Sequence, residues 1–599
     1  MRIALRILAA GVIAAGTVTS VPAAATAVPK PDKGTQPVYD YASAIREQVW
    51  VQTPVDSDSD GQPDRVAVRI IRPATTKRVP IIFQPSPYYA GLNDVPNHTD
   101  IDRDGASALR SAATNRADET ITFSGYLDNY FVPRGYAVVF ADSLGTGGST
   151  GCPTSGGRNE TLGMKAVVDW LNGRAPGFDA AGAPAKAKWS TGHTGMIGVS
   201  YNGTLPNAVA ATGVRGLDTI VPIAAISSWY DYYRANGGVV APGGFQGEDL
   251  DVLAKAVLTR QNPEVCADVM ATIEREQDRE TGDYSAFWDE RSYLHDADKV
   301  KASVFLVHGL HDDNVRTQQM GQWWDALAKN HVPRKIWLHQ GEHADPFNLR
   351  RDVWLDTLHR WFDYWLYGID NGVMREPTAD VEVAPNQWVT SSNWPVPQAR
   401  TTTLRLGHGP AQTFVDNPAR TASSLAESPD VADPNRFVYQ TAPLKKETRL
   451  SGGIDVTVRA SLDGDSPYLT AMLVDYGTAT RYAGTRTLAT QDCIGPGITG
   501  DPGCFNQRQY VTAETPYEIV TKGWLDVRNR VSLSRTTPIK AGRSYTFNWN
   551  LQPNDHVFAA GHRIGIVVIS TERDHTLRYP AGTVVKIDPG SSKVVMKLS

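Results

Sequence analysis

The segment 194–204, T-G-M-I-G-V-S-Y-N-G-T, constrains the chain more than any other stretch. Met196, Ile197 and Val199 form a short apolar run with strand character that ends at Ser200, and an alanine-rich helical pattern follows over 207–212. A serine on a tight turn from strand to helix has its hydroxyl lifted above the sheet. Such a turn presses backbone against backbone, which is why small residues (Gly195, Gly198, Gly203) surround it. Pro206 fits the first helical turn, where a missing N–H is tolerated. The spacing departs from the usual G-x-S-x-G: in Gly198-Val199-Ser200-Tyr201-Asn202-Gly203 the second glycine falls one place late.

The chain has 599 residues, enough for two or three domains, and its 41% hydrophobic and 21% charged content suits a large soluble protein. A net charge of −5 and the lack of any Lys/Arg block argue against a nucleic-acid partner. Arg2 and Arg6 flank an apolar run reaching about Ala15, and Ala25-Thr26-Ala27 has the small-x-small form of a cleavage site. Residues 1–27 are therefore expected to be a signal peptide, since the apolar run is short of the ~20 residues that span a bilayer. The expectation is a secreted protein with no membrane association after cleavage. Four cysteines fit an exported chain. Cys493 and Cys504, in a Gly/Pro-rich loop, are expected to bridge, while Cys152 and Cys266 pair or stay free. No C-x-x-C occurs, so zinc and thioredoxin-like readings have little support.

Over 28–375, apolar strand-like runs alternate with helical patterns, as in a mostly parallel sheet covered on both faces. Near the start, Asp56, Asp58, Asp60 and Asp64 around Gly61 resemble the opening of a calcium loop, but Ala67 stands where an EF-hand needs glutamate. The alternative is an acidic hairpin turn. The glycine-rich stretch 145–151 lacks the G-K-[ST] ending of a phosphate loop and reads as a tight active-site turn. The alternation lapses over 226–294, where Trp229, Tyr230, Tyr232 and Tyr233 crowd together, as expected for a helical cap over the site. From 376 to 599, short Val/Thr/Tyr-rich runs separated by Gly, Pro, Asn and Asp predict an all-β sandwich of jelly-roll type.

Nucleophilic serine chemistry needs a base for the hydroxyl proton and a carboxylate to orient that base. Downstream of Ser200, the strand-like V-F-L-V-H-G-L ends in His311-Asp312-Asp313-Asn314, and I-W-L-H ends in Gln340-Gly341-Glu342-His343. Ser200, Asp312 and His343 thus each follow a candidate core strand, in the order this chemistry takes on such a sheet. Asp313 competes with Asp312, and His308, His311 and His339 compete with His343. The backbone N–H of Tyr201 and the phenol of Tyr88, in the proline-stiffened P-S-P-Y-Y, are candidate oxyanion donors.

Taken together, G-V-S-Y-N-G-T, S-P-Y-Y, S-S-W-Y-D-Y-Y-R, H-G-L-H-D-D-N-V and Q-G-E-H resemble the Xaa-Pro dipeptidyl-peptidases, in the serine peptidase family that also holds cocaine-esterase-like and α-amino-acid-ester hydrolases. The resemblance implies an α/β-hydrolase domain with a helical cap, followed by a β-sandwich. It implies Ser200 as nucleophile, Asp312 as orienting carboxylate, His343 as base, and Tyr88 with the Tyr201 amide as oxyanion hole. It also implies that Tyr232, Glu248 and Asn314 hold the substrate's free amino group. Trp229 and Tyr230 are flat aromatics suited to a proline ring. No cofactor is expected, and the partners are peptides with a free N-terminus and proline in second position. Two alternatives stay open: a secreted esterase or acylase with the same triad, and a binding protein with an inert hydrolase domain. The long N-terminal helical domain of the lactic-acid-bacterial enzymes is not seen in this sequence, which puts their dimer arrangement in doubt here.

Overall fold

The computed structural model describes residues 34–103 and 125–599. The expected signal peptide, 1–27, lies outside the described residues.

Among the described residues, eleven strands form one sheet. Seven of them run parallel in the spatial order Ala379–Ala384, Arg334–His339, Ser303–Gly309, Leu217–Ile223, Ser190–Val199, Val79–Ser86 and Ala137–Asp142. Antiparallel strands flank both ends. Strand Val79–Ser86 is buried at every position, the mark of a parallel strand covered on both faces. Consecutive side chains point to opposite faces: Ile81, Phe83 and Met196 join one apolar cluster with Met164, Val167 and Trp323, while Ile82 and Ile197 join another with Trp354, Leu358 and Trp361. Helices Arg158–Leu171, Tyr201–Ala211 and Gln318–Lys329 supply the first face, and Arg351–Tyr367 supplies the second.

Strands Ala379–Ala384 and Gln387–Ser391 lie beyond the expected 375/376 boundary, yet they extend the hydrolase sheet. Their Val-rich pattern suits either sheet, and the parallel pairing of Ile336 with Ala379 decides it. The expected cap contains the helices Tyr230–Tyr233, Leu250–Val257, Ala267–Glu276 and Ala286–Asp289. It is tied to the sheet domain by a disulfide between Cys152 and Cys266, a pairing the sequence left open. Cys493 and Cys504 bridge as expected.

The C-terminal region packs a five-stranded antiparallel sheet on a four-stranded one around a shared core that includes Val456, Leu469, Phe547 and Ile566. One hairpin of the second sheet, Tyr468–Cys493 with Cys504–Asp526, is far longer than its neighbours and runs out along the hydrolase domain. Its disulfide-closed tip places Asp501 on the Tyr41 hydroxyl at 2.6 Å, and Asn129 donates to the Pro496 carbonyl at 3.1 Å.

The acidic segment is the turn between strands Ile45–Gln52 and Arg65–Arg72. Carboxylate oxygens of Asp56, Asp58 and Asp64 come within 4.8 Å of one another, and Asp60 is not part of that group. Asp58 pairs with Arg260 at 2.5 Å, Asp64 accepts from the Ser57 amide and hydroxyl, and Asp56 accepts from the Asp60 and Gly61 amides. Gly151 of the glycine-rich loop packs here, where a Cβ would meet Asp64 Oδ2 at 2.5 Å. That loop therefore buttresses the acidic turn and is not among the residues that line the site described next.

Candidate active site

Strand Ser190–Val199 runs into helix Tyr201–Ala211 through Ser200 alone, whose backbone sits at φ 62°, ψ −129°. A non-glycine residue rarely adopts this conformation, and holding one there costs about 1–3 kcal/mol. The turn is held by the Ser200 amide on the Ile223 carbonyl at 2.9 Å and by the Thr204 amide on the Ser200 carbonyl at 2.8 Å. A Cβ on Gly198 would lie 2.4 Å from the Asn202 carbonyl oxygen, and one on Gly203 would lie 2.5 Å from the Gly198 carbonyl oxygen. The late glycine is thus where the helix crosses its own strand.

Asp312 follows strand Ser303–Gly309, which lies one strand beyond Leu217–Ile223 from the Ser200 strand, and its side chain is buried. Oδ1 accepts from the amides of Asn314 and Val315 at 3.0 and 2.9 Å, and Oδ2 accepts from His343 Nδ1 at 2.8 Å. The two loops are pressed together at Gly309, where a Cβ would meet the Glu342 carbonyl oxygen at 2.2 Å. The other candidate histidines are set differently. His308 Nε2 donates to the Val315 carbonyl at 2.7 Å, and burial pulls its pKa down. Burial takes His339 to about 3. His311 contacts Gln340 and Glu518.

Ser200, Asp312 and His343 line one cavity of about 910 Å³, together with Tyr88, Tyr201, Trp229, Tyr232 and Asn314. Tyr88 meets the Tyr201 ring edge-on at 5.9 Å. The Tyr201 hydroxyl is spent on Glu160, at 2.8 Å, which leaves only its backbone amide, at the helix N-terminus, available to the cavity. Trp229 is fully buried, with Nε1 on the Tyr293 hydroxyl at 2.9 Å, and Tyr232 donates to Asn314 Oδ1 at 2.6 Å.

Two expected residues are not brought to the cavity. Tyr230 donates to the Gly282 carbonyl at 2.8 Å and packs on Tyr284 and Trp288 inside the cap. It is one residue from Trp229 and two from Tyr232, and a helical turn sends those positions in different directions. Glu248 is buried and accepts from Tyr233 at 3.1 Å, placing it behind Tyr232 rather than on the cavity wall.

The sandwich forms a wall that sequence reasoning missed. Tyr482, Arg508, Lys522 and Trp524 of the long hairpin, with Asn554, all line the cavity. Facing them is Asp313, a half-exposed carboxylate within 3.4 Å of Lys522 and 3.3 Å of His575. Partial burial would raise its pKa, but Lys522 and His575 hold it well below the usual carboxylate range. No local pattern marks these residues, because their placement depends on how two distant domains dock.

Residues 60–345 match the family described as X-Pro dipeptidyl-peptidase (S15 family), and 371–597 match its C-terminal non-catalytic domain. The chain is 46% identical over 569 residues to a putative Xaa-Pro dipeptidyl-peptidase of Bacillus anthracis, covering 92% of this chain and 88% of that one. It is 43% identical over 603 residues to one of Streptomyces avermitilis, covering 96% and 85%. The chain belongs to the S15 family of X-Pro dipeptidyl-peptidases. A solved α-amino acid ester hydrolase shares the fold at 19% identity, with a TM-score of 0.62 over 96% of this chain and all of that one. Membership of the S15 family accounts for the paired architecture, in which a domain named non-catalytic nonetheless walls the cavity.

Proposed function

We propose that this S15 member is a secreted serine exopeptidase that releases Xaa-Pro dipeptides from free N-termini through an acyl-enzyme. The observation that carries the reading is the convergence of the strained Ser200 turn and the His343–Asp312 pair in one cavity, roofed by the cap and walled by the sandwich. In this reading His343, neutral and held through Nδ1–H by Asp312, takes the Ser200 proton as Oγ attacks the carbonyl carbon of the proline. The Tyr201 amide and the Tyr88 phenol receive the oxyanion. His343 then gives the proton to the departing amine as the C–N bond breaks. Water repeats the sequence on the ester, freeing the dipeptide and restoring Ser200.

The walls suit that substrate. Trp229, Ile226, Phe245 and Leu253 offer the apolar surface a proline ring needs. The linked Tyr232 and Asn314 offer oxygens to a terminal ammonium. Glu248, bonded to Tyr233, stands behind Tyr232 and is not on the cavity wall. Secretion is supported by Arg2, Arg6 and the apolar run after them, and by two disulfides, which persist in oxidising compartments. The test is a panel of Ala-Pro and Gly-Pro anilides, free and N-acylated, beside simple aryl esters. Rapid cleavage of the free-amine anilides alone supports the proposal, and preference for simple esters overturns it in favour of an esterase.

A further inference from the structure

The loops that carry Asp312 and His343 are joined to each other and to the sandwich by a single imidazole. His311 Nδ1 lies 2.7 Å from the Gln340 carbonyl oxygen, and Nε2 lies 2.9 Å from Glu518 Oε1. A carbonyl oxygen has no proton to give. Neither has Glu518: burial would raise its pKa, but His311, His556 and Arg481 hold it below the usual carboxylate range. Both ring nitrogens must therefore donate, and a ring that donates twice is an imidazolium.

The three anchors lie on three elements. His311 immediately precedes Asp312, and Gln340 is the first residue after strand Arg334–His339, on the turn that leads to His343. Glu518 lies on the long hairpin strand and is fixed by Arg481 at 2.9 Å, which in turn pairs with Asp475 at 3.0 Å. The ring is also stacked on Tyr482, 5.1 Å between centroids.

We propose that His311 is a positioning residue: its doubly protonated ring, held between the Gln340 carbonyl and the Glu518 carboxylate, sets the Asp312 and His343 loops against the sandwich. The inference rests on the reading of Ser200, Asp312 and His343 as the reacting set. Loss of one ring proton leaves two acceptors competing for one donor, so one contact becomes lone pair against lone pair and the loops lose their fixed spacing.

The groups facing the ring are Glu518 and Arg481 from the sandwich, Tyr482 from the hairpin, Glu342 and His339 from the His343 side, and the adjoining Asp312. Burial lowers the His311 pKa, but Glu518, the Gln340 carbonyl and Glu342 outweigh it and leave it raised. The effect therefore belongs to the alkaline side, above the ordinary histidine range.

The test uses the full chain and an uncharged aryl fluorophosphonate, which has no amine of its own to titrate. Ser200 Oγ displaces fluoride from phosphorus, and the hydroxyl proton passes to His343. Second-order labelling rates are followed from about pH 6 to about pH 10 for the wild type, Glu518→Gln and His311→Gln. The expected wild-type rate falls along an alkaline limb. Glu518→Gln, which keeps shape but removes the charge, shifts that limb down by about one pH unit, and His311→Gln labels about tenfold more slowly with no such limb. A limb unchanged in Glu518→Gln, or absent from the wild type, overturns the proposal while leaving the serine reading intact. Failure of the wild type to label at Ser200 overturns both.

Discussion

The Tyr232 phenol donates to the side-chain oxygen of Asn314 at 2.6 Å, and Asn314 in turn gives its backbone amide to Asp312, the residue that holds His343. The group proposed to read the substrate's amine is thus built onto the turn that orients the base.

Tyr232→Phe removes an oxygen from the amine site without changing the ring. Hydrogen bonds to charged groups contribute about 1.5–3 kcal/mol, so KM for a free-amine Ala-Pro anilide should rise about 10- to 100-fold. Turnover at saturation should change little, and N-acylated esters should be unaffected. Equal losses on free and blocked substrates, in steady-state assays, remove Tyr232 from this role.

Gly203→Ala tests the crossing of helix and strand behind Ser200. The added methyl would sit 2.5 Å from the Gly198 carbonyl oxygen and 3.0 Å from that of Ile223. Backbone must move, and overpacking of this kind costs about 1–3 kcal/mol. The expected result is a lower melting temperature and fluorophosphonate labelling slowed by at least about tenfold. Wild-type labelling would show that the elbow tolerates displacement.

Stability should depend on pH through Asp128. Its carboxyl and that of Asp501 both contact the Tyr41 hydroxyl, which has one proton to share. Burial, with the neighbouring Asp501 charge, raises Asp128 from 3.8 to about 6 despite the bond from Tyr41. An acid raised in the fold is stabilising while protonated. Its contribution is fully present below 3.8 and is lost as pH rises through about 6. Asp128→Asn, neutral at every pH, should flatten the change in melting temperature between about pH 4 and about pH 7 relative to wild type. Parallel melting curves for the two proteins across that range contradict this assignment.

Ser200, Asp312 and His343 were legible because each signal is local: an apolar strand, a tight turn and one reactive side chain, repeated three times in a fixed order. The cap was legible as a lapse in that rhythm. The direction of its aromatics was not. Trp229, Tyr230 and Tyr232 lie within four residues, yet Tyr230 enters the cap core while the other two face the cavity. Composition is blind to which side of a helical turn meets solvent. The 375/376 boundary expected from the sequence leaves Ala379–Ala384 with the sandwich, because a Val-rich strand does not announce its partner. The Cys152–Cys266 bridge spans 114 residues and depends on where the cap docks. Lys522, Trp524 and Glu518 reach the site only through the packing of two domains, a contact with no linear trace.

In the proposed mechanism the Ser200 hydroxyl attacks the bond after proline. This step is tested most directly by the turnover of Ala-Pro-p-nitroanilide by Ser200→Ala, with folding checked by its melting temperature. The expected fall in kcat is at least about 10⁴-fold, since removing a nucleophile of this kind disables the whole reacting set. Turnover within about tenfold of wild type by a properly folded Ser200→Ala protein would contradict it.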